Sequence, residues 1–390
     1  MAWFPSQWNT SNEGWKFEIV SLLAVIGGST IEKHKQAITA SRLGVIPRLL
    51  PAPDTLLNTD RPLRLPSVKD VTVYGVHSGT HTNELNFFAN IIHNVESLAS
   101  YEFRLYSITY GPKEHDVEKI DKTGEKDVEN IGNTVKKDVF IPVKTLSMLN
   151  AVTVFSIIMT IGLFILAGIS YDGVALIGLV SMSLSTSAAC LSAQWRPKLN
   201  TRPNRTDVPP GDVAIKTRGG AIIIVQCQEE ITRELYLGMD TCQYTFTGQA
   251  HQALLATSTI LLMAAIIFFS NCGRTMQVAV GVAYIILNIL YWVMALLQSP
   301  QKASWDIDRY HIETLLKDDK PKSFTEVLWY AVRETKCIDW IKNAGLAPGT
   351  ESWNRWLQEA LKNCDNPEWD AVGAKNQLMK EAARNEKEQK

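Results

Sequence analysis

The residues best suited to metal chemistry lie between positions 77 and 93. His77 and His81 are four residues apart, Glu84 follows them, and His93 lies further along. A spacing of four places two histidines on one face of a helix, as in many zinc sites. The intervening residues 78–80 are Ser, Gly and Thr, which disfavour a helix. The pattern therefore favours histidines in a solvated loop, and no metal site is predicted.

Other sequence signatures of catalysis or cofactor binding are missing. The turn Arg218-Gly219-Gly220 lacks the Gly-Lys-Ser/Thr of a phosphate-binding loop, and no Gly-x-Ser-x-Gly elbow occurs. The six cysteines form no Cys-x-x-Cys pair and show no zinc-ligand spacing, so we expect buried thiols. The sequence predicts no catalytic residue and no cofactor.

Long runs without charge dominate the second part of the chain. A bilayer core of about 30 Å requires about 20 apolar helical residues. Four runs have about this length and contain no charged side chain: 149–169, 173–193, 254–270 and 276–297. Only a few residues separate the first run from the second, and the third from the fourth. The sequence thus predicts a mostly α membrane protein with two transmembrane helical hairpins, at 147–195 and 253–298.

A fifth apolar run, 17–31, is shorter and contains Glu18. It fits a bilayer only with local thinning or with help from its flanks. A fifth span and an interfacial or re-entrant helix both stay open for this N-terminal segment, 1–31.

The region before the first hairpin, 32–146, is polar. Five prolines between Pro47 and Pro66 indicate a linker over 32–70. Apolar residues at helical spacing predict an amphipathic helix over 83–99. Residues 101–110 are typical of a strand, and 111–137 of a charged linker.

A compact polar module, 196–252, separates the two hairpins. Residues 213–217 and 221–227 predict a β-hairpin, and 229–237 a short helix. The strand segment 221–225 is apolar on both faces, so other elements must cover it.

The last region, 299–390, predicts a helical tail. Ser323 and Glu326 form a capping box, and Asn366-Pro367 indicates the start of a further helix. The region is rich in tryptophan, which favours either mutual packing into a small helical domain or docking on the membrane interface or a partner.

Small residues mark the second run as the packing helix of the bundle. They let helix backbones approach closely in lipid. Asn288 in the fourth run is a candidate for interhelical hydrogen bonding. We expect Leu at position 185 or 189 to disturb assembly more than Ala at 179 or 184. The candidate packing residues are Gly178, Ser181, Ser185, Ala189 and Ala193, with Asn288.

Lys and Arg flank the predicted spans on one side, whereas the two hairpin tips contain only Arg274. The positive-inside rule places the central module and the C-terminus in the cytosol, at the plasma membrane or an endomembrane. The sequon at Asn204 should then carry no sugar, while the one at Asn9 could carry it only if 17–31 spans. Cys227 and Cys242 should be reduced.

Short motifs in the second half resemble a group of uncharacterised fungal multispanning membrane proteins. The resemblance implies a membrane protein and brings no activity, cofactor or catalytic residue. The motifs are Gly211-Asp212-Val213, Arg233-Glu234-Leu235-Tyr236, Ser270-Asn271-Cys272, Tyr284-Ile285-Ile286-Leu287-Asn288, and Phe324-Thr325-Glu326 with Trp329-Tyr330.

Three classes of function compete. A membrane scaffold that binds a protein partner, or associates with itself through the helical tail, is the first expectation. A transporter or channel subunit is the alternative, but the four runs contain none of the ionisable residues that ion pathways use. A membrane enzyme without a recognisable motif is the third. The net charge of -1 argues against a nucleic-acid partner, so the expected partners are the lipid bilayer and protein.

Overall fold

The computed structural model describes residues 28–57, 61–111, 139–200, 210–297, 304–318 and 321–388. Most of the apolar run 17–31 and of the charged linker 111–137 lies outside these ranges. The helices are α1 Gly28–Ala40, α2 Phe87–His93, α3 Met148–Ile169, α4 Gly173–Ser192, α5 Gly248–Asn271, α6 Arg274–Leu297, α7 Phe324–Thr335, α8 Asp339–Asn343, α9 Glu351–Lys362 and α10 Ala371–Glu388. The strands are β1 Val71–Gly75, β2 His81–Thr82, β3 Phe103–Tyr110, β4 Val139–Phe140, β5 Trp195–Leu199, β6 Val213–Thr217, β7 Ile222–Cys227, β8 Thr241–Tyr244 and β9 Tyr310–Asp318.

The chain divides into two compact units, each built from three separate segments. The first, here called the helical unit, comprises Met1–Leu63, Phe140–Pro197 and Cys242–Asp306. The second, the α/β unit, comprises Arg64–Val139, Lys198–Thr241 and Ile307–Lys390.

Four helices of the helical unit, α3 to α6, are long and apolar enough to cross a membrane by length and composition. They contain 22, 20, 24 and 24 residues. Side chains cap the N-termini of α3 and α4. The Ser147 side chain accepts a hydrogen bond from the Asn150 amide, and Asp172 Oδ1 accepts one from the Ala175 amide.

These helices place apolar side chains outward and hydroxyls inward. Ile158, Ile161 and Ile165 of α3 are each more than half exposed, whereas Ser156 and Thr160 on the same helix are buried. A water-soluble helix shows the opposite pattern. The outward apolar surface is therefore compatible with contact to lipid.

Contacts between the two predicted hairpins are more extensive than contacts within either hairpin. Helix α4 makes its most extensive contact with α5, and α3 packs on α6 as well as on α4. Helix α4 is also the most buried of the four.

Residues 28–57 are not a linker, and the prediction of one over 32–70 is wrong for this part. Helix α1 continues to Ala40, 3₁₀ turns form at Arg42–Val45 and Pro53–Leu57, and the residues between these turns are largely buried. Helix α1 packs against α6 and α4, and the turns pack against α4. The prolines do break regular structure here, but the irregular chain is packed inside the helical unit.

A six-stranded sheet forms the centre of the α/β unit, in the order β2-β1-β6-β7-β3-β9. All neighbouring strands are antiparallel except β3 and β7. The predicted hairpin β6–β7 and the predicted strand β3 are confirmed. The module 196–252 is not independent, however, because its hairpin lies between β1 and β3 from the first polar region. A separate three-stranded sheet has the order β4-β5-β8.

Helices from the tail cover one face of the six-stranded sheet. Ile222 and Ile224 of β7 share a buried core with residues of α7, α9 and α10, including Trp356. Trp329, Trp340 and Trp356 are 4%, 2% and 0% exposed. The tryptophans thus pack within the α/β unit.

Two predictions for the polar regions need correction, and one strand was missed. The helix expected over 83–99 ends at His93, because Asn94 adopts a left-handed conformation. Strand β9 was not predicted, since it pairs with β3, about two hundred residues earlier in the chain. The last helix starts at Ala371 and not at Asn366, because residues 366–370 form turns.

Candidate functional site

The irregular segment 46–52 has the most unusual surroundings in the helical unit. Pro47 and Pro51 prevent it from forming a helix, so its backbone groups need partners from elsewhere. The Leu49 amide donates to Thr160 Oγ1 at 2.9 Å, and the Leu49 carbonyl accepts a bond from the Ser156 hydroxyl. Irregular backbone among membrane helices is tolerated only where protein or trapped water satisfies it in this way.

Helices α3 and α4 supply the hydroxyls that bind this segment. Ser156 and Thr160 lie one turn apart on α3, and Thr160 Oγ1 donates a hydrogen bond to the Ser156 carbonyl at 2.7 Å. From α4, Thr186 Oγ1 donates to the carbonyl of Arg48 at 2.7 Å. The hydroxyls therefore bind the carbonyl and the amide of the peptide group between Arg48 and Leu49, as well as the Leu49 carbonyl.

This arrangement buries the side chain of Arg48, which is 1% exposed. Its Nη1 atom donates to the carbonyls of Leu43 at 3.1 Å and Gly44 at 2.7 Å, at the end of the preceding 3₁₀ turn. Its Nε and Nη2 atoms are buried and have no hydrogen-bond partner among the described residues. Burial of a charged group without such partners is costly.

Further polar groups surround this guanidinium. The Tyr291 hydroxyl of α6 lies beside Arg48 and Thr153, close enough for electrostatic interaction. It is within hydrogen-bonding reach of both side chains. The ring of His34 is centred 6.2 Å from that of Tyr291, and both of its nitrogens are buried without a described partner. Cys190 of α4 also interacts electrostatically with Arg48.

Sequence reasoning missed this group because Arg48 and His34 lie outside the four charge-free runs. The absence of ionisable residues is a property of those four runs alone. The one available signal is composition: Arg48 stands in the stretch Pro47-Arg-Leu-Leu-Pro51, where the following leucines are apolar. A solvated linker has few such residues.

Two of the predicted packing residues of α4 lie at its contact with α5. A side chain added at Gly178 would stand 3.0 Å from the Phe269 ring of α5. Ser185 Oγ donates to the Ser258 carbonyl at 2.8 Å, and Ser258 Oγ donates to the Ser185 carbonyl at 2.8 Å. Of this set, the structure places Gly178 and Ser185 on the α4–α5 contact.

The other packing candidates are more scattered. Ala189 is buried in a cluster with Ile31 and Tyr291. Ser181 is buried on α4, whereas Ala193 and Asn288 are partly exposed. Leu179, where we expected truncation to disturb assembly less than Leu at position 185 or 189, is completely buried, whereas Leu184 is 45% exposed.

The histidines and glutamate of the α/β unit do not come together. No group of three or more metal-binding side chains occurs in the part of the chain that the structure describes. His81 stacks on Tyr74, and His93 is buried. The remaining contacts are His77 Nε2 to Asp212 Oδ2 at 3.2 Å, Glu84 Oε1 to Arg64 Nη2 at 3.0 Å, Glu84 Oε2 to Ser67 Oγ at 2.8 Å, and His93 Nε2 to Tyr236 OH at 2.7 Å.

A buried polar network in the α/β unit centres on Glu234. Tyr310 OH donates to Glu234 Oε2 at 2.8 Å, and Arg309 Nη2 donates to Glu234 Oε1 at 3.1 Å. The Arg309 guanidinium lies over the Tyr110 ring, 5.0 Å from its centroid. Burial raises the pKa of Glu234 more than the guanidinium lowers it. The network connects β3, β9 and the helical turn Thr232–Leu237, which indicates a structural role.

Two further ionisable groups of this unit are perturbed by burial. The carboxyl of Asp240 is 4% exposed, and burial raises its pKa from 3.8 to about 7. Burial likewise raises the pKa of the Cys227 thiol to about 12. Cys227 therefore stays protonated at neutral pH and is a poor nucleophile. All six cysteines are free.

Comparisons with protein-family models, with curated proteins and with solved structures found no match. The resemblance to uncharacterised fungal membrane proteins therefore stays a prediction.

Proposed function

We propose that this chain is a membrane protein with four spans that holds its α/β unit in the cytosol as a scaffold for a protein partner. The main support for this topology is the position in the chain of the strands that form the six-stranded sheet. Strands β1 to β3 precede the first pair of apolar helices, β6 and β7 lie between the pairs, and β9 follows the second pair. Strands of one sheet must share one side of a membrane, so each pair must cross and return.

The helix connections support the same arrangement. Asp172 caps α4 and also accepts a hydrogen bond from the Gly273 amide at 2.7 Å, so the two short connections lie together. They contain one basic residue, Arg274, while the segments at the opposite helix ends are rich in Lys and Arg. The positive-inside rule therefore favours a cytosolic α/β unit.

Binding is favoured over catalysis because two perturbed groups of the α/β unit, Glu234 and Cys227, are poorly suited to chemistry. Glu234 is held by Arg309 and Tyr310, and the raised pKa of Cys227 makes its thiol unreactive. The tail tryptophans pack in the core, so a partner would bind the polar surface of this unit. Self-association through the tail would use the same surface.

Cysteine accessibility tests the topology with two matched changes. Ser170 lies at the first helix connection and Ser100 in the α/β unit, and both are exposed. We expect a membrane-impermeant maleimide to label Ser170→Cys in intact cells, and Ser100→Cys only after permeabilisation. Labelling of Ser100→Cys in intact cells would contradict the cytosolic placement.

Affinity purification of the tagged full chain in mild detergent tests the scaffold role. The control is Ile223→Asp, which places a charge at a completely buried position of β7. A stoichiometric protein that co-purifies with the native chain and is lost with Ile223→Asp supports a scaffold. A chain that purifies alone in both cases contradicts it.

A transporter or channel subunit is the second candidate, and one observation favours it. Arg48 and His34 are basic side chains buried inside the helical unit. Ionisable residues inside membrane helices commonly mark substrate or ion pathways. A small molecule that co-purifies with the chain in the absence of a protein partner would favour this candidate.

A further inference from the structure

Helix α1 buries one face in the helical unit, and a histidine stands in the middle of that face. Ile31, His34 and Ile38 recur at helical spacing and are 0%, 2% and 1% exposed. Ile31 and Ile38 share a buried cluster with residues of α4 and α6, including Cys190 and Tyr291. Among the described side chains of α1, His34 is the one ionisable group that is buried.

The surroundings of His34 accommodate a neutral imidazole. Neither ring nitrogen has a hydrogen-bond partner among the described residues. The ring packs beside that of Tyr291, with 6.2 Å between the two ring centres. Burial lowers the pKa of His34, and the positive charge of Lys33 on the same helix lowers it further.

The ionisable groups around this histidine do not compensate a positive charge on it. The two carboxylates on these elements, Glu32 and Asp54, are exposed, and Lys33 is the charged group that acts on the imidazole. Helix α3 contributes no ionisable side chain. An imidazolium here would therefore be buried without a counter-charge, which is costly. The ionisable groups are Glu32, Lys33 and Lys35 of α1 itself, Arg42, Arg48 and Asp54 of the segment that follows it, Cys190 of α4 and Tyr291 of α6.

The C-terminal end of α1 is attached by separate hydrogen bonds. Trp195 Nε1 donates to Thr39 Oγ1 at 3.0 Å. Just beyond the helix, Ser41 Oγ donates to Asn150 Oδ1 at 3.2 Å. The turns before Thr39 instead pack through the apolar face that surrounds His34.

We propose that α1 is an acid-sensitive latch, in which protonation of His34 releases the first turns of the helix from α4 and α6. The released turns pivot on the bonds at Thr39 and Ser41. The buried cluster lies at the start of α3 and at the ends of α4 and α6. In the topology proposed above this end faces the cytosol, so cytosolic pH is the signal. The latch itself does not depend on the scaffold role.

The direction of the effect follows from proton binding. A histidine in the released, solvated helix has the ordinary pKa of 6.5, and in the packed helix its pKa is lower. The packed form is therefore fully favoured above pH 6.5, and release increases as pH falls below this value. At pH 5 the released population exceeds that at pH 7.5 by up to roughly thirtyfold, since each pH unit between the two pKa values contributes a factor of about ten.

Two native cysteines report on the release. Cys190 is 1% exposed and lies in the same cluster as the buried face of α1. Cys272 is 7% exposed and belongs to a different cluster, so it controls for unfolding of the whole unit. The purified full chain in an uncharged detergent is labelled with 4,4′-dithiodipyridine, which reacts with thiols in mild acid as well. Mass spectrometry follows the labelling of each cysteine at pH 5 and pH 7.5.

His34→Gln provides the comparison, because glutamine is polar but cannot be protonated. The labelling rate of the native chain divided by that of the variant at the same pH removes the pH dependence of the reagent. We expect this ratio for Cys190 to rise roughly tenfold or more from pH 7.5 to pH 5, and the ratio for Cys272 to stay constant. An unchanged Cys190 ratio would overturn the proposal. So would an equal rise for Cys272, because the whole unit would then unfold.

Should His34→Gln fail to fold, His34→Phe serves as the second variant. Phenylalanine keeps an aromatic ring beside Tyr291 and carries no titratable group. We expect Cys190 of this variant to stay protected at both pH values, whereas in the native chain its labelling gains on that of Cys272 as pH falls. Acid-induced labelling of Cys190 that persists in His34→Phe would contradict the role of His34.

Discussion

The buried carboxyl of Asp240 should make the stability of the α/β unit depend on pH. The side chain faces the backbone amides of Phe87 and Phe88 at the start of α2, with Arg64 as a nearby positive charge. Burial dominates over these favourable contacts and raises the Asp240 pKa to about 7. In the unfolded chain an aspartate has a pKa of about 3.9.

The sign follows from proton binding. Between pH 4 and pH 7 the folded chain keeps a proton that the unfolded chain has lost. Stability therefore falls as pH rises through this window, and it levels off above pH 7. Each pH unit in the window changes the free energy of unfolding by about 1.4 kcal/mol. From pH 5 to pH 8 the loss is about 3 kcal/mol, since two units of this range lie below the folded pKa.

The change Asp240→Asn removes this titration and keeps the shape of the side chain. Thermal unfolding of the full chain in detergent should show the variant gaining on the native protein as pH rises. The gain corresponds to roughly 4 °C in midpoint between pH 5 and pH 8. Asp365→Asn is the control for the same change at an exposed position, because the Asp365 side chain is 83% exposed.

A constant difference between Asp240→Asn and the native protein across pH 5 to 8 would refute this reasoning. So would a variant that loses stability relative to the native protein at high pH. Either result would mean that the Phe87 and Phe88 amides stabilise the carboxylate enough to offset its burial.

The remaining predictions concern packing, thiol chemistry and topology. Ser185→Leu should lower the stability of the detergent-solubilised chain more than Leu184→Ala, because Ser185 lies in the α4–α5 contact and Leu184 is 45% exposed; equal losses would argue against close packing there. Maleimide should label Cys227 more slowly than Cys364, as followed by mass spectrometry, since burial raises the Cys227 pKa to about 12. Asn204 should carry no sugar when the chain is expressed in a eukaryotic cell, and a glycan detected at this site would reverse the proposed orientation.

The apolar helices were predictable because their signal is local. A run of about 20 residues without charge has few alternatives to a membrane helix, and α3 to α6 have nearly the predicted bounds. The β6–β7 hairpin was predictable for the same reason, since its strands and turn lie within 15 residues. Strand β9 was not, because it pairs with β3 across about two hundred residues of sequence. Its own pattern does not show that distant partner.

The candidate site could not be predicted because its signal resembles that of a loop. Prolines and one arginine in a stretch between charged segments are typical of a solvated linker. What distinguishes residues 46–52 is the set of hydroxyls that satisfy them, and these stand more than one hundred positions away. In the sequence, Ser156, Thr160 and Thr186 indicate helix packing as readily as they indicate binding of an extended segment.

The same hydroxyls explain why an irregular segment and an unsatisfied arginine occur together. Helices α3 and α4 satisfy the backbone on both sides of the Arg48–Leu49 bond, and thereby fix the position of the Arg48 side chain. The Arg48 side chain in turn donates to the carbonyls of Leu43 and Gly44 and so holds the preceding 3₁₀ turn. Backbone and side chain of this one residue therefore connect α3, α4 and the 3₁₀ turn, which is why an irregular segment can be packed among the helices.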